Sequence, residues 1–326
     1  MLRLPPFKYH LPKSIAEAVE LKVKHGDNAV YTAGGTDLYP NMKRRQITPQ
    51  NLIGLRELQE LQIVSFEEGL TIGSGVSISK VAEDPRIKKK YPALAKAAAL
   101  VSSPQLRKMG TIGGNLCLDT RCNYYNQTFQ WRKALGFCMK KDGEICWVAR
   151  SSPICLAVSS SDCAPVAVAL NVEFTLLGPK GERNVPAGQF YENDGVNYLK
   201  KKEDELLVSI HIPPSKGWRM NYKKLRRRGS IDFPVLSVAI VLSIDEAKVC
   251  RKARIVLGSV ASCPIRAFES EKILIGEILS VKLIEESAKA AAKLAKPMDN
   301  TDMGLGFRKK MVPLFVADAI KEALEN

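Results

Sequence analysis

The sequence predicts an α+β fold, on three observations. Strand-like runs are grouped, and runs of helix-like residues follow them instead of alternating with them. Several short β-type runs are joined by hairpin turn signals. No internal repeat is present, and 326 residues at roughly 100–200 per domain give about two domains.

Taken in order, Ser14-Ile15-Ala16-Glu17 is a capping box. It opens a helix that runs through Val19 and Val23 and stops near Gly26. Ala29–Thr32 is a short β-type run that breaks at Gly34-Gly35-Thr36-Asp37, and Asn51–Leu55 reads as a strand. Gln62–Phe66 and Leu70–Ile72 form a hairpin around Glu67-Glu68-Gly69. Val81–Leu100 is helical in character, divided by Pro85 and Pro92. After the segment 119–160, which shows little periodicity, Ala164–Leu170 reads as a helix. Val172–Leu177 and Arg183–Val185 make another hairpin across Gly178-Pro179-Lys180-Gly181. Glu205–Ile212 ends at Pro213-Pro214, which predicts a boundary between domains 1–214 and 215–326. Strands are predicted at Trp218–Leu225, Leu236–Ile244 and Ala253–Val260, then helices at Arg266–Ile275, Val281–Leu294 and Phe307–Leu324.

Composition excludes several classes. Hydrophobic residues at 45% and charged residues at 25% are globular values, not those of a collagen-like or disordered chain. Val235–Ile244, among the longest apolar runs, falls short of the about 18 residues of a membrane helix. Pro5, Pro6, Lys8 and His10 stand where a signal peptide would be apolar, so a soluble, cytoplasmic protein is expected. A net charge of +15 favours acidic partners and salt-sensitive encounters. Its basic runs (Lys43–Arg45, Lys88–Lys90, Lys200–Lys202, Arg226–Arg228) are short and dispersed, without RNA-sheet aromatics or zinc-finger spacing. His10, His25 and His211 lie in no metal or triad motif.

Four features could carry chemistry. Ala33-Gly34-Gly35-Thr36-Asp37 follows a β-type run, and Gly110-Thr111-Ile112-Gly113-Gly114-Asn115 repeats its chemistry later. Paired glycines admit a phosphate close to the backbone, whose N–H groups can form an anion nest. Read alone, each is equally a tight turn; neither is a Walker loop or a Rossmann fingerprint. Two such loops suit a dinucleotide. The third feature is the cysteine group. Cys117, Cys122, Cys138, Cys146, Cys155 and Cys163 crowd the middle of the chain, far from Cys250 and Cys263. Cys122, Cys138, Cys146 and Cys155 are separated by 15, 7 and 8 residues, with no Cys-x-x-Cys pair. Trp131, Trp147 and Phe137 could shield an iron–sulfur cluster; zinc and inert thiols stay open as alternatives. The fourth is Tyr222-Lys223-Lys224 with Arg228 and Asp232-Phe233 downstream, where a lysine could stabilise a reduced flavin or simply sit on an exposed basic strand.

Taken together and in this order, these loops resemble the FAD-binding medium subunit of the xanthine oxidase family of molybdenum hydroxylases. Ala33–Leu38 looks like the family's first FAD loop, and Ser103-Pro104-Gln105-Leu106-Arg107 with Gly110–Asn115 its second. Glu205-Leu206-Leu207 before Ile212-Pro213, and Tyr222-x-Lys224-x-x-x-Arg228-x-x-x-Asp232-Phe233, complete the series. The likeness spans nearly the whole chain. It departs at 119–160, where Asn115-Leu116-Cys117-Leu118-Asp119 is cut off from Ser161-Asp162-Cys163-Ala164-Pro165. A cysteine-bearing insertion at this point resembles the 4-hydroxybenzoyl-CoA reductase branch.

The resemblance implies a two-subdomain α+β FAD-binding module of the molybdenum hydroxylase flavoprotein type, followed by a smaller C-terminal α+β domain. By position it assigns FAD contacts to Val30, Tyr31, Thr32, Ala33, Gly34, Gly35, Thr36 and Asp37, and to Thr111, Gly114 and Asn115. Val101 matches a position packed on the FAD, Asp162 an acidic position at its polar part, Leu206 or Leu207 an apolar contact, and Lys224 a lysine at the flavin edge. Asp119 lies where the patterns part. Within the insertion it assigns Cys122, Cys138, Cys146 and Cys155 to one 4Fe-4S cluster, leaving Cys117 and Cys163 as plain thiols. It also implies a large molybdopterin subunit, a small subunit with two-iron clusters, a dimer of heterotrimers, and an acidic ferredoxin as donor. An ordinary hydroxylase subunit passing electrons out through FAD, and a basic nucleic-acid binder with a zinc-held loop, are the competing expectations.

Overall fold

The computed structural model describes residues 2–325. Several helices start where a side chain caps their free N–H groups. Ile15–His25 begins after Ser14, whose hydroxyl accepts from Glu17 N, and it ends at Gly26 with φ of 52°. The buried Lys22 ammonium at its last turn donates to Gly26 O at 2.8 Å and Ala29 O at 2.9 Å, turning the chain into the Ala29–Thr32 strand. Pro85 and Pro92 divide the next helical region into Ile78–Glu83, Pro85–Lys90 and Pro92–Ala99, each proline sitting in a first turn where its missing N–H is harmless.

The strands form three sheets. Lys8–His10, Asn51–Gly54 and Ala29–Thr32 make a small parallel one, with Asn51–Gly54 central. A five-stranded antiparallel sheet runs in the order Val64–Ser65, Leu70–Gly73, Leu206–Ile212, Glu173–Gly178, Gly181–Pro186. A four-stranded antiparallel sheet runs Ile265–Arg266, Cys250–Gly258, Leu236–Ile244, Trp218–Leu225. The Cys250–Gly258 strand starts earlier than its apolar pattern predicts, because Lys252 and Cys250 keep pairing with Ser243 and Ile244 although Arg251 and Lys252 face solvent. It stops earlier because Ser259 takes φ of 62°.

The Leu236–Ile244 strand explains how the molecule holds together. Alternate residues of a strand face opposite sides. Leu236, Val238, Ile240 and Leu242 pack on the helices Phe268–Leu274, Val281–Leu294 and Leu305–Glu325. Ala239 and Val241 join Met220 and Tyr222 in a second core shared with residues from Leu70 to Ile212. The chain on either side of Pro213-Pro214 therefore shares one hydrophobic core. Among the described residues no helix is long and apolar enough to cross a membrane.

Residues 119–160 contain one helix, Phe129–Ala134, and otherwise irregular chain. The segment closes on itself: Arg121 N donates to Val158 O at 2.8 Å and Val158 N to Arg121 O at 2.7 Å. It is also tied outward on two sides. Gln46 donates to Tyr125 O at 2.6 Å, and Asn300 donates to Leu156 O at 2.6 Å while its own carbonyl accepts from Asn123 N at 3.0 Å. Its backbone groups, which no sheet pairs, find partners in this way.

Candidate cofactor and thiol site

The two glycine loops meet. A Cβ on Gly34 would stand 1.9 Å from Met109 O and 3.0 Å from Gly110 N, so only glycine lets the first loop lie against the second. Gly35 has φ of 68°, a left-handed turn that brings Asp37 to the start of the Leu38–Lys43 helix. In the second loop Thr111 caps Ile112–Leu116, its hydroxyl accepting from Gly114 N at 3.1 Å. Gly113 packs its backbone onto Ser74, where a Cβ would meet Ser74 Cβ at 2.5 Å. The buried Thr32 hydroxyl, two residues before Gly34, has no partner among the described residues. A cradle closed to side chains beside an unsatisfied buried hydroxyl fits the pyrophosphate and ribityl parts of an FAD.

The other assigned residues reach this cradle through a chain of hydrogen bonds. Asn115 Oδ1 accepts from Ser161 Oγ at 2.8 Å and Cys163 N at 3.1 Å, joining the second loop to Asp162. Asp162 accepts from Tyr222 OH at 2.8 Å and from Lys224 Nζ at 3.0 Å. Lys224 Nζ also donates to Leu100 O at 2.9 Å, next to Val101. Burial pushes the Asp162 carboxyl up and the Lys224 ammonium down, in each case against the attraction between them. Lys224 thus acts first as the partner of Asp162, within a strand whose basic face is not all exposed. Tyr31 OH reaches Asp204 O at 3.5 Å, which sets Leu206 beside the first loop in a core with Ile15, Ala29 and Ile53. Leu207 turns to the opposite face, into the larger core.

One residue escaped the sequence reading. Arg121 forms an ion pair with Asp37 of the first loop, and its guanidinium lies 4.5 Å over the Phe233 ring. Its Nε is buried without a partner, and burial lowers its pKa to about 10. Its adjacency to Cys122 was the available signal. Through Arg121 the insertion, the first loop and the Asp232-Phe233 turn meet. Arg228 fixes that turn with bonds to Asp232 of 2.7 and 2.9 Å.

Cys122, Cys138, Cys146 and Cys155 line one small pocket with Trp147 and Lys140. All four thiols are buried, and burial pushes Cys122 up to about 12 and Cys155 up to about 11. Trp147 Nε1 donates to Phe137 O at 2.5 Å, holding the indole over the turn before Cys138. Cys117 and Cys163 lie outside the pocket, Cys163 in the core of the framework and Cys117 half-buried against it. Among the described residues no three His, Cys, Asp or Glu side chains converge tightly enough for a single metal ion. Zinc needs its sulfurs at about 2.3 Å. Four buried thiols around one pocket supply the number of ligands that either a tetrahedral zinc or a four-iron cluster takes.

Comparison with known proteins gives the family. Residues 5–215 match the family described as the FAD binding domain in molybdopterin dehydrogenase, and residues 220–323 the CO dehydrogenase flavoprotein C-terminal domain. The carbon monoxide dehydrogenase medium chain of Afipia carboxidovorans is 30% identical over 97% of this chain and 96% of its own. The aldehyde oxidoreductase FAD-binding subunit of Escherichia coli is 32% identical over 80% of this chain and 83% of its own. The solved carbon monoxide dehydrogenase of Hydrogenophaga pseudoflava superposes with a TM-score of 0.81 at 27% identity, covering 99% of each chain.

Proposed function

This chain belongs to the FAD-binding medium subunits of the molybdopterin dehydrogenases, and from that premise we propose that it is an electron relay holding one FAD and one 4Fe-4S cluster. The cluster would take electrons singly from an acidic ferredoxin, and the FAD would pass them toward a large molybdopterin subunit through a small subunit with two-iron clusters. The reaction served is reductive dehydroxylation: 4-hydroxybenzoyl-CoA takes up two electrons and two protons and gives benzoyl-CoA and water. This chain would not act on that substrate alone. The assembly would be a dimer of heterotrimers in an anaerobic cytoplasm degrading aromatic compounds.

The observation that carries this reading is the pocket of four buried thiols on an insertion bonded to the first FAD loop through Arg121 and Asp37. Val30, Tyr31, Thr32, Ala33, Gly34, Gly35, Thr36 and Asp37 with Thr111, Gly114 and Asn115 would hold the FAD. Asp162 and Lys224 fix the backbone around Val101 that packs on it. Leu206 adds apolar support, and Leu207 secures the same strand from the core. Arg121 would keep the insertion in register with the cradle. A groove lined by Arg3, Lys43, Arg44, Arg45 and Lys141, with one carboxylate, Asp142, runs along the insertion and supports an acidic donor. The rate of reduction by ferredoxin should fall steeply with salt; a salt-independent rate counts against that donor.

A second reading is favoured by the names of the relatives, which are dehydrogenases and an aldehyde oxidoreductase. On it, this would be the medium subunit of an oxidising hydroxylase that passes electrons out through FAD. Iron, acid-labile sulfide, zinc and flavin content on anaerobically purified protein separates the two. About four irons, four sulfides and one FAD per chain supports the relay. FAD without iron in this chain leaves the oxidising reading, and zinc without FAD overturns both.

A further inference from the structure

Lys140 lines the thiol pocket, and its side chain is 6% exposed. Its ammonium has three donors, and each has a partner. It donates to Asp119 Oδ1 at 2.8 Å, to Thr120 Oγ1 at 2.8 Å and to Gly195 O at 2.6 Å. The same nitrogen lies 4.9 Å from the Tyr125 ring centroid and 5.3 Å from that of Tyr198. A buried ammonium this fully bonded stands in one place. The backbone of two of the cysteines runs beside that place. Lys140 is two residues from Cys138, whose carbonyl accepts from Lys141 N at 2.8 Å and Gly143 N at 3.1 Å. Gly195 N donates to Cys155 O at 2.8 Å, and a Cβ at Gly195 would stand 2.7 Å from the Cys155 sulfur.

Asp119, which pairs with Lys140, is 23% exposed and does not line the pocket. The Lys140 ammonium bonds the carbonyl of Gly195, whose backbone lies against the Cys155 sulfur, so the positive end of the pair stands beside the thiols while Asp119 lies outside the pocket. Four thiolates give a 4Fe-4S cluster a net negative charge that grows by one when it takes up an electron. A fixed positive charge in a buried wall stabilises the more negative state, since little water screens it.

We infer that Lys140 sets the reduction potential of the group held by Cys122, Cys138, Cys146 and Cys155, with Asp119 as the opposing charge that moderates it. This deepens the relay reading and rests on the four thiols binding a cluster. Lys140 is a positioning residue as well, since it ties Thr120 and Gly195 together where the insertion leaves the framework. That structural duty alone would alter cluster retention and leave the potential where it was.

The test is a dithionite titration of the anaerobically purified complex, following the four-iron signal by electron paramagnetic resonance. The variants are Lys140→Met, Lys140→Arg and Asp119→Asn. Lys140→Met should cut the ratio of reduced to oxidised cluster at least tenfold at fixed potential, a shift of about 59 mV for a one-electron couple. Asp119→Asn should shift it the other way, and Lys140→Arg should stay near the parent. Four irons with an unchanged potential in Lys140→Met overturns the inference. If Lys140→Met loses its iron, Asp119→Asn decides, and an unchanged potential there overturns it equally. No iron in the parent protein would instead refute the relay reading, and the tuning role with it.

Discussion

Replacing Lys224 by Met isolates the buried ion pair at the junction of the chain's two halves. The Lys224 and Asp162 side chains are 0% and 3% exposed, so neither charge can turn to solvent. Met keeps the length and apolar stem of the lysine and removes the ammonium. Asp162 then retains the Tyr222 hydroxyl at 2.8 Å, and Leu100 O retains the Arg226 guanidinium at 3.5 Å. Breaking a buried pair from one side typically costs about 3–5 kcal/mol. Protonation of Asp162 caps the loss: holding a carboxyl of ordinary pKa neutral at pH 7 costs about 4 kcal/mol, at about 1.4 kcal/mol per pH unit. The expected loss at pH 7 is therefore about 3–4 kcal/mol. The variant's folded state would hold a proton that its unfolded state releases above the ordinary carboxyl range, so stability should rise as pH falls. Between pH 7 and pH 5 about 2.7 kcal/mol should return. Urea unfolding of the purified flavin-loaded protein at both pH values measures this. Lys224→Met with Asp162→Asn should recover most of the loss at pH 7. A single variant within about 1 kcal/mol of the parent at both pH values would refute the argument that the pair is buried and charged.

Three further outcomes are expected. Gly34→Ala should abolish FAD retention, because its Cβ would stand 1.9 Å from Met109 O, while Gly188→Ala, with nothing within 4 Å, should bind flavin as the parent does. Bound flavin absorbance reads both. Arg121→Gln should release Asp37 and open the insertion, so limited proteolysis should cut between residues 121 and 158 faster than in the parent; equal rates would show that the main-chain pairing with Val158 suffices. Glu322 has its carboxyl lowered to about 2 by Lys223, Asn221 and Lys96, despite some burial. A depressed carboxyl stabilises the fold above its unfolded pKa, and that contribution is lost as pH falls from 4.5 to about 2. Its side chain is 40% exposed, so screening holds the effect below about 1 kcal/mol, read as the difference between Glu322→Gln and the parent in acid unfolding.

Most elements could be read from local signals because each begins or ends on a residue with its own physical reason. Ser14, Gly26, Pro85, Pro92 and Gly69 each fix a boundary through a cap, a missing N–H or a positive φ. The long strand Leu236–Ile244 was legible as a strand but not as a wall between two cores, since a mostly apolar run does not say what covers each face. For the same reason Pro213-Pro214 marked a joint in the chain and gave no sign that Met220 and Tyr222 pack back across it.

The site divides along the same line. Glycine loops and cysteines are conspicuous by type, and the structure brings Gly34 against Gly110 and four thiols around one pocket. The residues that join these features are ordinary by type and conspicuous only by contact. Arg121 carries no motif, yet it is half-buried between Asp37 and Phe233, which lie far apart in the chain. Lys140 stands next to Lys141 in the sequence, yet only Lys141 is exposed. Those two placements fix a cysteine-bearing loop against the first glycine loop and the framework. Arg121 ties the first cysteine of the insertion to the flavin cradle, while Asn300 and Ser262 hold its far end at Leu156 and Cys155. An insertion anchored only at its two junctions could drift relative to the cradle. This one is fastened to the first glycine loop and to the C-terminal half, which holds its four thiols in one place relative to the two glycine loops.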